Sequence, residues 1–326
     1  MAHPIDTTLA LLQDAMAAHR QALARGPSGP KPKEVSLPRD RRAELALRLL
    51  CGIEARAGIE VAQVPADRLL RNLAGISLPE LEEWVSRLEP LSAHHPDWLS
   101  LIESMTVHET YVMRDPAQLQ FFAAQLPALI DAARKRTKCP RFWSVGCATG
   151  EEAYSIAALV YDALVASGDA VAKSSGIELP EPWRIDVLGS DISRTVLNDA
   201  RSAIYDTGPL SSFRSESAVL LSHFPVLQGG GARMAAAHLR GAVRFTQFNL
   251  IEDVLPEAGF DAVFCRNVLI YFSARARRIA QDTLCRAVRP GGYLVLGPTD
   301  TLIDASGFEA MWGPDAVIYR RRSDDG

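Results

Sequence analysis

The spacing of hydrophobic residues makes the N-terminal third of the chain helical. Hydrophobic positions recur at helical intervals over residues 6–25, which predicts an amphipathic helix, and again from residue 37 to about residue 105. Ser77 and Glu80 have the spacing of a capping box at a helix start. We therefore expect a small all-helical domain of four or five helices over residues 36–106.

A short segment of different composition separates the first helix from this domain. Residues 26–33 contain three prolines and two glycines. Such a composition cannot continue a helix and predicts a flexible linker. Residues 1–35 are thus interpreted as an amphipathic helix and a linker, and the helix is free to dock elsewhere in the protein or on a partner.

From residue 107 to residue 326 the pattern changes, because apolar runs of strand length alternate with helical patterns. Helices are predicted over residues 196–203 and from Ser273 to about Val288, the second stopped at Pro290 and the two glycines after it. The alternation favours an α/β fold with an open, mostly parallel, Rossmann-like sheet and an antiparallel last strand. Strands are predicted over residues 142–145, 185–188, 243–248, 260–265, 293–296 and 316–320.

Residues 206–241 are less regular than their surroundings. Two short apolar runs, residues 224–228 and 232–236, flank the three glycines of residues 229–231. A glycine-rich turn between two short apolar runs is typical of a β-hairpin. We therefore interpret residues 206–241 as a small β-hairpin inserted in the α/β domain.

Composition and charge narrow the function classes. The 326 residues are 48% hydrophobic with a net charge of −4, and a general binder of nucleic acid or anionic membranes would instead carry a basic surplus. No apolar run reaches the roughly 18 residues that a membrane span requires, and no signal-peptide core precedes the first helix, so we expect a cytoplasmic protein. The five cysteines are scattered and lack C-x-x-C spacing, which predicts neither disulfides nor a metal site.

A glycine-bearing turn is the most informative segment. The apolar run that ends at Val145 passes through Gly146 and Gly150 into a helical pattern that begins with Glu151 and Glu152. The G-x-x-x-G spacing departs from the dinucleotide fingerprint, and two acids follow where a pyrophosphate needs free amides. A cationic ligand with hydroxyl groups, such as S-adenosylmethionine, fits this turn better.

Polar residues at two further positions are candidate ligand contacts. Asp191 follows the second strand, where doubly wound sheets hold ribose hydroxyls, although an acid there also serves as an ordinary helix cap. His108, Thr110 and Arg114 crowd ahead of Asp115 and Pro116, which suit the N-cap and first residue of a helix. This second segment is also compatible with a simple capped loop.

Several motifs in this order and spacing resemble the CheR-type methyltransferases, which use S-adenosylmethionine to methylate glutamate side chains of chemoreceptors. The resemblance covers roughly residues 36–326. The motifs are His-Glu-Thr-Tyr-Val-Met-Arg-Asp from His108, Trp-Ser-Val-Gly-Cys-Ala-Thr-Gly-Glu-Glu from Trp143, Gly-Ser-Asp-Ile from Gly189, Phe-Asn-Leu from Phe248 and Phe-Cys-Arg-Asn-Val-Leu-Ile-Tyr-Phe from Phe264.

The resemblance implies a role for each matching residue. Arg114 and Tyr271 would be the catalytic residues, with Arg114 reaching into the active site and Tyr271 beside the transferring methyl group. The cofactor would be bound by His108, Thr110, Arg114, Glu152, Asp191, Asn249, Leu250, Arg266 and Asn267, with Asp191 on the ribose and Asn249 and Leu250 on the adenine. The product would be S-adenosylhomocysteine, and the protein substrate a chemoreceptor or related sensory protein.

The chain departs from the family pattern in two places. The family's Phe-Phe-Arg is Val112-Met113-Arg114 here, so the arginine is kept and its apolar neighbours differ. Receptor-modifying members are described as docking through a basic helix of the N-terminal domain. Residues 36–99 instead contain eight Arg and Lys against ten Asp and Glu, which predicts no basic surface.

Two other functions are compatible with parts of the pattern. A signalling adaptor would bind S-adenosylmethionine or S-adenosylhomocysteine with little catalysis and engage a partner through the helix at residues 6–25. Such a module would not need Arg114 and Tyr271. A nicotinamide-dependent oxidoreductase has a similar sheet, but the glycine spacing and the acids Glu151 and Glu152 count against it.

Overall fold

The computed structural model describes residues 4–24, 40–174, 176–208, 211–214, 221–255 and 257–323. The chain forms two compact units. One comprises residues 1–107 and 271–279, and the other comprises residues 108–270 and 280–326. No pattern in the sequence indicates that residues 271–279 group with the helical part. The linker predicted over residues 26–33 lies outside the described residues.

The first unit is helical, as predicted. Asp40 caps α2, because its carboxylate accepts hydrogen bonds from the amides of Arg42 at 2.8 Å and Ala43 at 3.3 Å. Gly58 ends α2 in the left-handed conformation, with φ of 76°. The capping box of Ser77 and Glu80 is present at the start of α4. The helices are α1 Pro4–Ala24, α2 Arg41–Ala57, α3 Ala66–Leu73, α4 Leu78–Leu88 and α5 Pro96–Met105, with a 3₁₀ turn at Val61–Gln63.

Helix α1 packs within this unit, chiefly against α2 and α3. Leu12, Ala15 and Met16 are buried, as the amphipathic pattern requires. The Thr8 hydroxyl donates to the Asp40 carboxylate at 2.5 Å, which ties α1 to the residue that caps α2. The described part of the first helix is therefore docked on its own unit. None of the described helices is long and apolar enough to span a membrane.

The second unit is built on a seven-stranded sheet with helices packed against it. Its helices are α6 Pro116–Ala123, α7 Leu126–Arg134, α8 Glu151–Ala166, α9 Arg194–Ser202, α10 Ala237–Ala242 and α11 Ala274–Ala287, the last of which continues from the helical unit. Its strands are β1 Arg141–Val145, β2 Val171–Lys173, β3 Gly176–Glu178, β4 Asp186–Asp191, β5 Ile204–Asp206, β6 Ala232–Met234, β7 Val243–Gln247, β8 Phe260–Cys265, β9 Val288–Leu296, β10 Phe308–Trp312 and β11 Val317–Arg321.

The strand order places a ligand site at one edge of this sheet. The order is β10-β11-β9-β8-β1-β4-β7, in which β9, β8, β1, β4 and β7 run parallel and β11 is antiparallel to β9. The chain moves outward from β1 to β4 and β7, then returns to β8 on the other side of β1. Open α/β sheets bind ligands at the carboxyl ends of the strands beside such a reversal. The predicted Rossmann-like, mostly parallel sheet with its antiparallel last strand is confirmed.

One predicted strand needs correction, and some strands were not predicted. The helix after Ser273 ends at Ala287, and β9 begins at once at Val288 and runs across Pro290. The helix therefore ends before Pro290 as predicted, but the strand predicted over residues 293–296 begins earlier, at Val288. An irregularity in the pairing of β9 with β8 accommodates the proline: Val288 is opposite Phe260, whereas Tyr293 is opposite Ala262. The edge strand β10 and the small hairpin of β2 and β3 were not predicted.

The insertion at residues 206–241 forms a small sheet whose main pairing differs from the predicted one. Strand β6 pairs with β5, which precedes the insertion, rather than with a strand over residues 224–228. The predicted hairpin is present only as a short antiparallel contact: Val226 is bridged to Arg233, and the Met234 amide donates to the Pro225 carbonyl at 3.1 Å. The glycine turn is present, since the Leu227 amide donates to the Ala232 carbonyl at 3.0 Å.

Candidate functional site

The glycine turn between β1 and α8 opens the carboxyl edge of the sheet. Gly146 has φ of +69°, and a Cβ there would lie 2.3 Å from Cγ2 of Val268. Gly150 has φ of +93°, and a Cβ there would lie 2.9 Å from the Cβ of Ala200. Only glycine meets both requirements at these positions. The turn therefore leaves the backbone amides around Ala148 at the sheet edge.

Asp191 joins this turn to the end of β4. Its two carboxylate oxygens accept hydrogen bonds from the amides of Ala148 and Ser193, both at 3.0 Å. The N-cap of α9 is Ser193, whose hydroxyl accepts from the Val196 amide at 3.3 Å, so Asp191 is not the helix cap. Burial raises the pKa of the Asp191 carboxyl, while the backbone hydrogen bonds and the nearby His108 lower it. Each oxygen keeps a second lone pair that can accept a ligand hydroxyl.

Arg266, directly after β8, is the centre of a buried charge cluster. Its side chain is only 1% exposed, and its guanidinium lies 3.0 Å from Asp115 and 3.2 Å from Glu152. It also donates to the main-chain carbonyl of Arg114. Burial raises the pKa of Glu152, and Arg266 and the Ser144 hydroxyl, 2.7 Å away, lower it. Arg266 thus joins the Arg114 loop to the start of α8.

Asp115 does not cap α6 with its side chain, although α6 begins at Pro116 as predicted. The residue is left-handed, with φ of 51°, and its carboxylate binds Arg266 instead. A charge-assisted bond to a buried guanidinium is stronger than a capping bond to a backbone amide. Asp115 is thus the N-cap residue as predicted, but its side chain makes no capping bond and instead has a partner 151 residues away in sequence.

The loop that carries Arg114 is held at several points. The Val112 amide donates to the Ser212 carbonyl at 2.8 Å, and the Met113 amide to the Ser155 hydroxyl at 3.0 Å. Met113, like Asp115, is left-handed, with φ of 57°. The Arg114 guanidinium donates to the Glu109 carbonyl. Unfavourable backbone conformations of this kind persist only where the surroundings fix them, and they cluster at functional sites.

Polar atoms of two further predicted residues face the same edge of the sheet. Asn267 is left-handed, with φ of 59°, and within the described chain its buried Oδ1 has no hydrogen-bond partner. Asn249 is 4% exposed, and its Oδ1 accepts from the Ile251 amide at 3.0 Å, which shapes the turn after β7. Leu250 is buried beside it. An unpaired buried acceptor is costly and fits a site that a ligand completes.

The predicted residues thus fall into groups. Arg114, Glu152 and Arg266 meet in one cluster, and His108 lies close enough to Asp191 to affect its pKa. Thr110 lies in the same loop as Arg114. Tyr271 belongs to the segment that groups with the helical unit, where its carbonyl accepts from the Glu60 amide at 2.8 Å. The assignments to cofactor and catalysis stay predictions.

Two residues of this region were missed. Asp115 was interpreted only as a cap, and Glu151 only as an acid unfavourable to phosphate. Glu151 is 2% exposed, and its carboxylate accepts from the hydroxyls of Ser212 and Thr149, both at 2.6 Å. The signal available in the sequence was the pair of consecutive acids after Gly150. A charged residue at a buried helix start is uncommon, so such a residue calls for specific partners.

These residues fit S-adenosylmethionine. A carboxylate at the end of β4 suits ribose hydroxyls, the unpaired Oδ1 of Asn267 offers an acceptor, and the Glu152 carboxylate suits an ammonium group. In the parts of the chain that the structure describes, no group of three or more His, Cys, Asp or Glu is arranged to hold a metal ion.

Comparison with known proteins decides the family. The model of the CheR methyltransferase, SAM-binding domain, matches residues 108–316. The chain belongs to the CheR methyltransferase family. The resemblance predicted from the motifs is confirmed, and the protein is a CheR-type enzyme that uses S-adenosylmethionine. The adaptor alternative is disfavoured.

Relatives of this CheR-type enzyme cover most of the chain. The chemotaxis protein methyltransferase of Salmonella typhimurium is 32% identical over 257 residues, which is 76% of this chain and 80% of that protein. Chemotaxis protein methyltransferase 1 of Pseudomonas aeruginosa is 28% identical and covers 85% of this chain and 95% of its own length. The probable biofilm formation methyltransferase WspC of Pseudomonas aeruginosa is 28% identical over 83% of this chain and 61% of its own.

Proposed function

We propose that this CheR-type enzyme transfers the methyl group of S-adenosylmethionine to glutamate side chains of a chemoreceptor or related sensory protein in the cytoplasm. The observation that carries the proposal is the loop of Arg114, whose main chain is fixed by the buried Arg266 while its guanidinium is only partly buried. A fixed guanidinium is suited to orient an acceptor carboxylate, because its planar fork matches two oxygens. The names of the chemotaxis relatives support the choice of acceptor.

In this proposal the cofactor is held by the residues at the carboxyl edge of the sheet. Asp191 accepts hydrogen bonds from the ribose hydroxyls, and Asn249 and Leu250 line the adenine. Glu152 and Asn267 hold the methionine end, together with His108 and Thr110. When bound there, S-adenosylmethionine supplies the electrophilic methyl group.

No general base is needed for this reaction. A glutamate carboxyl with an ordinary pKa of about 4.3 is ionised at neutral pH and is already a nucleophile. The task of the protein is then alignment of the carboxylate with the methyl group, which can lower a barrier by roughly 7–11 kcal/mol at best. Arg114 would orient the carboxylate, and Tyr271 would lie beside the transferring methyl group.

The helical unit gives little support for docking an acidic acceptor through a basic helix. Several of its arginines already pair with acids of the same unit: Arg41 with Glu82 at 2.5 Å, Arg48 with Glu89 at 2.6 Å and Arg71 with Asp67 at 2.6 Å. The balance of charges over residues 36–99 is also slightly acidic. We therefore base the choice of a receptor acceptor on the family and not on this surface.

A labelling experiment with two variants tests the proposal. Purified protein is incubated with methyl-labelled S-adenosylmethionine and cytoplasmic fragments of methyl-accepting receptors, and the label is tested for the base lability of a methyl ester. We expect Arg114→Ala to lower kcat by about 100-fold, because a misplaced acceptor loses alignment. Asp191→Ala should instead weaken S-adenosylhomocysteine binding by roughly 10-fold or more, since it removes hydrogen bonds to a charged group.

Calorimetric titration with S-adenosylhomocysteine separates the two effects. The proposal places Arg114 on the acceptor carboxylate and not on the product, so Arg114→Ala should bind the product with nearly the affinity of the unaltered protein. A base-stable label would redirect the search to nitrogen or sulfur acceptors. The proposed acceptor would be contradicted if the protein bound the product tightly but labelled no receptor fragment. The division of roles between Arg114 and Asp191 would be contradicted if both variants lost the same amount of kcat.

A further inference from the structure

Glu151 is a buried acid that the proposed reaction does not use. It is the first residue of α8 and adjoins Glu152, but it has different partners. Its oxygens accept from the hydroxyls of Ser212 and Thr149, and among the described residues no Lys, Arg or His lies within ion-pair distance. Burial raises the pKa of its carboxyl. A buried acid without a cation is costly, so its hydrogen-bond partners must offset that cost.

One of these partners, Ser212, belongs to a short segment, residues 211–214, which we call the clamp segment. Glu151 holds it by the bond from Ser212, and the clamp segment in turn contacts the loop of Arg114 at three points. The Ser212 carbonyl accepts from the Val112 amide at 2.8 Å. The Arg214 guanidinium pairs with Glu109 at 3.0 Å and lies 4.2 Å from the centre of the Tyr111 ring.

The Arg114 loop depends on such support. Met113 and Asp115 are both left-handed, a conformation that is unfavourable for a residue other than glycine. Arg266 fixes the end of this loop at Asp115, and the Ser155 hydroxyl fixes Met113. Ser155 itself donates to the main-chain carbonyl of Glu151 at 2.6 Å. The side chain of Glu151 therefore supports the clamp segment, and its main-chain carbonyl supports the Arg114 loop through Ser155.

We propose that Glu151 is a positioning residue for the transfer: through Ser212 it holds the clamp segment against the loop and thereby sets the place of Arg114. Glu151 touches neither the acceptor nor the cofactor in this scheme. The inference deepens the proposed function, on which its kinetic consequence rests. Its structural consequence, the protection of the Val112 amide, does not depend on any acceptor.

Hydrogen–deuterium exchange resolved to the Val112 amide tests the link directly. We expect Ser212→Ala and Glu151→Ala each to speed exchange at Val112 by about 10-fold or more, because the clamp segment loses its anchor. The double variant should exchange no faster than the faster single variant, since both changes break one connection. In the receptor-methylation assay, kcat is normalised to the concentration of sites that bind S-adenosylhomocysteine, and it should fall at least 10-fold. The Kd for S-adenosylhomocysteine should change less than threefold.

Tyr161→Phe is the matched control on the same helix. The Tyr161 hydroxyl donates to the His238 carbonyl at 3.0 Å, away from the clamp segment, so its loss should lower stability without changing exchange at Val112. Ser212→Ala keeps the test decisive if Glu151→Ala fails to fold. The inference would be overturned if Ser212→Ala changed neither exchange at Val112 nor kcat. It would also be overturned if the effects of the two single variants multiplied in the double variant. If the unaltered protein methylates no receptor, the exchange result still stands alone.

Discussion

Arg266 shows how a single residue can organise a site without being the reacting group. A guanidinium that is 1% exposed cannot be solvated by water, so its charge is balanced by Asp115 and Glu152. These two carboxylates belong to different elements, the loop before α6 and the first turn of α8. Desolvating such a cluster is expensive, and the benefit is a fixed geometry more than added stability.

Replacing this arginine should therefore be severe. We expect Arg266→Met to lower the free energy of unfolding by about 3–5 kcal/mol, because Glu152 is left buried beside a second carboxylate without a cation. Urea denaturation monitored by circular dichroism measures the change. Arg134→Met is the control: Arg134 pairs with Asp131 and Asp169 but is 39% exposed, so it should change the unfolding midpoint very little. Similar midpoints in the two variants would contradict this account.

At the scale of elements, a pair of histidines links the insertion at residues 206–241 to α8. His223 is 1% exposed, its Nε2 lies 2.9 Å from Asp162 on α8, and its Nδ1 lies 3.0 Å from Nε2 of His238 on α10. An ionised aspartate only accepts, so His223 donates from Nε2 and accepts at Nδ1 from His238. Burial and the neighbouring His223 lower the pKa of His238 to about 4.

This shift predicts acid sensitivity of the insertion. A histidine with a folded pKa of about 4 and an ordinary value of 6.5 takes up its proton first in the unfolded chain as the pH falls. Its contribution to stability is therefore complete above pH 6.5 and is lost between pH 6.5 and about pH 4. The melting temperature of the unaltered protein should fall more steeply over this range than that of His238→Gln. Parallel pH profiles would refute the assignment.

At the scale of the whole molecule, the helical unit and the α/β unit have separate cores. Leu12 of α1 is fully buried among residues of the helical unit, whereas all the residues predicted to bind the cofactor belong to the α/β unit. Stability and cofactor affinity should therefore respond to different substitutions. Effects at distant sites without shared partners are usually independent.

A core substitution in α1 tests this independence. Leu12→Ala should lower the stability of the helical unit by about 2–5 kcal/mol through lost burial and the cavity left behind. Hydrogen exchange of the α2 amides measures that unit alone, and calorimetry should give an unchanged Kd for S-adenosylhomocysteine. Leu78→Ala is the control, since Leu78 is 40% exposed and should cost less than about 0.5 kcal/mol. A weaker Kd in Leu12→Ala would show that the units are coupled.

Much of the fold, and the family, could be predicted because the sequence patterns that indicate them are local. The helical intervals of the first hundred residues, the capping box at Ser77 and the turn from Gly146 to Gly150 each lie within a few positions of one another. Strands β1, β4 and β8 each contain a short apolar stretch visible in the sequence, and the structure buries these stretches. The order of the motifs also sufficed to identify the family.

Local patterns in the chain were enough to predict most helices, the parallel sheet and the chemistry available at its edge. Which side chains meet at that edge follows only from the folded arrangement. Arg266 and Asp115 are 151 residues apart, and Glu151 reaches Ser212 across 61. The folded arrangement also explains why β9 crosses Pro290, because β9 pairs with the neighbouring strand β8. Contacts between distant residues depend on the register and packing of whole elements, and local patterns carry no record of them.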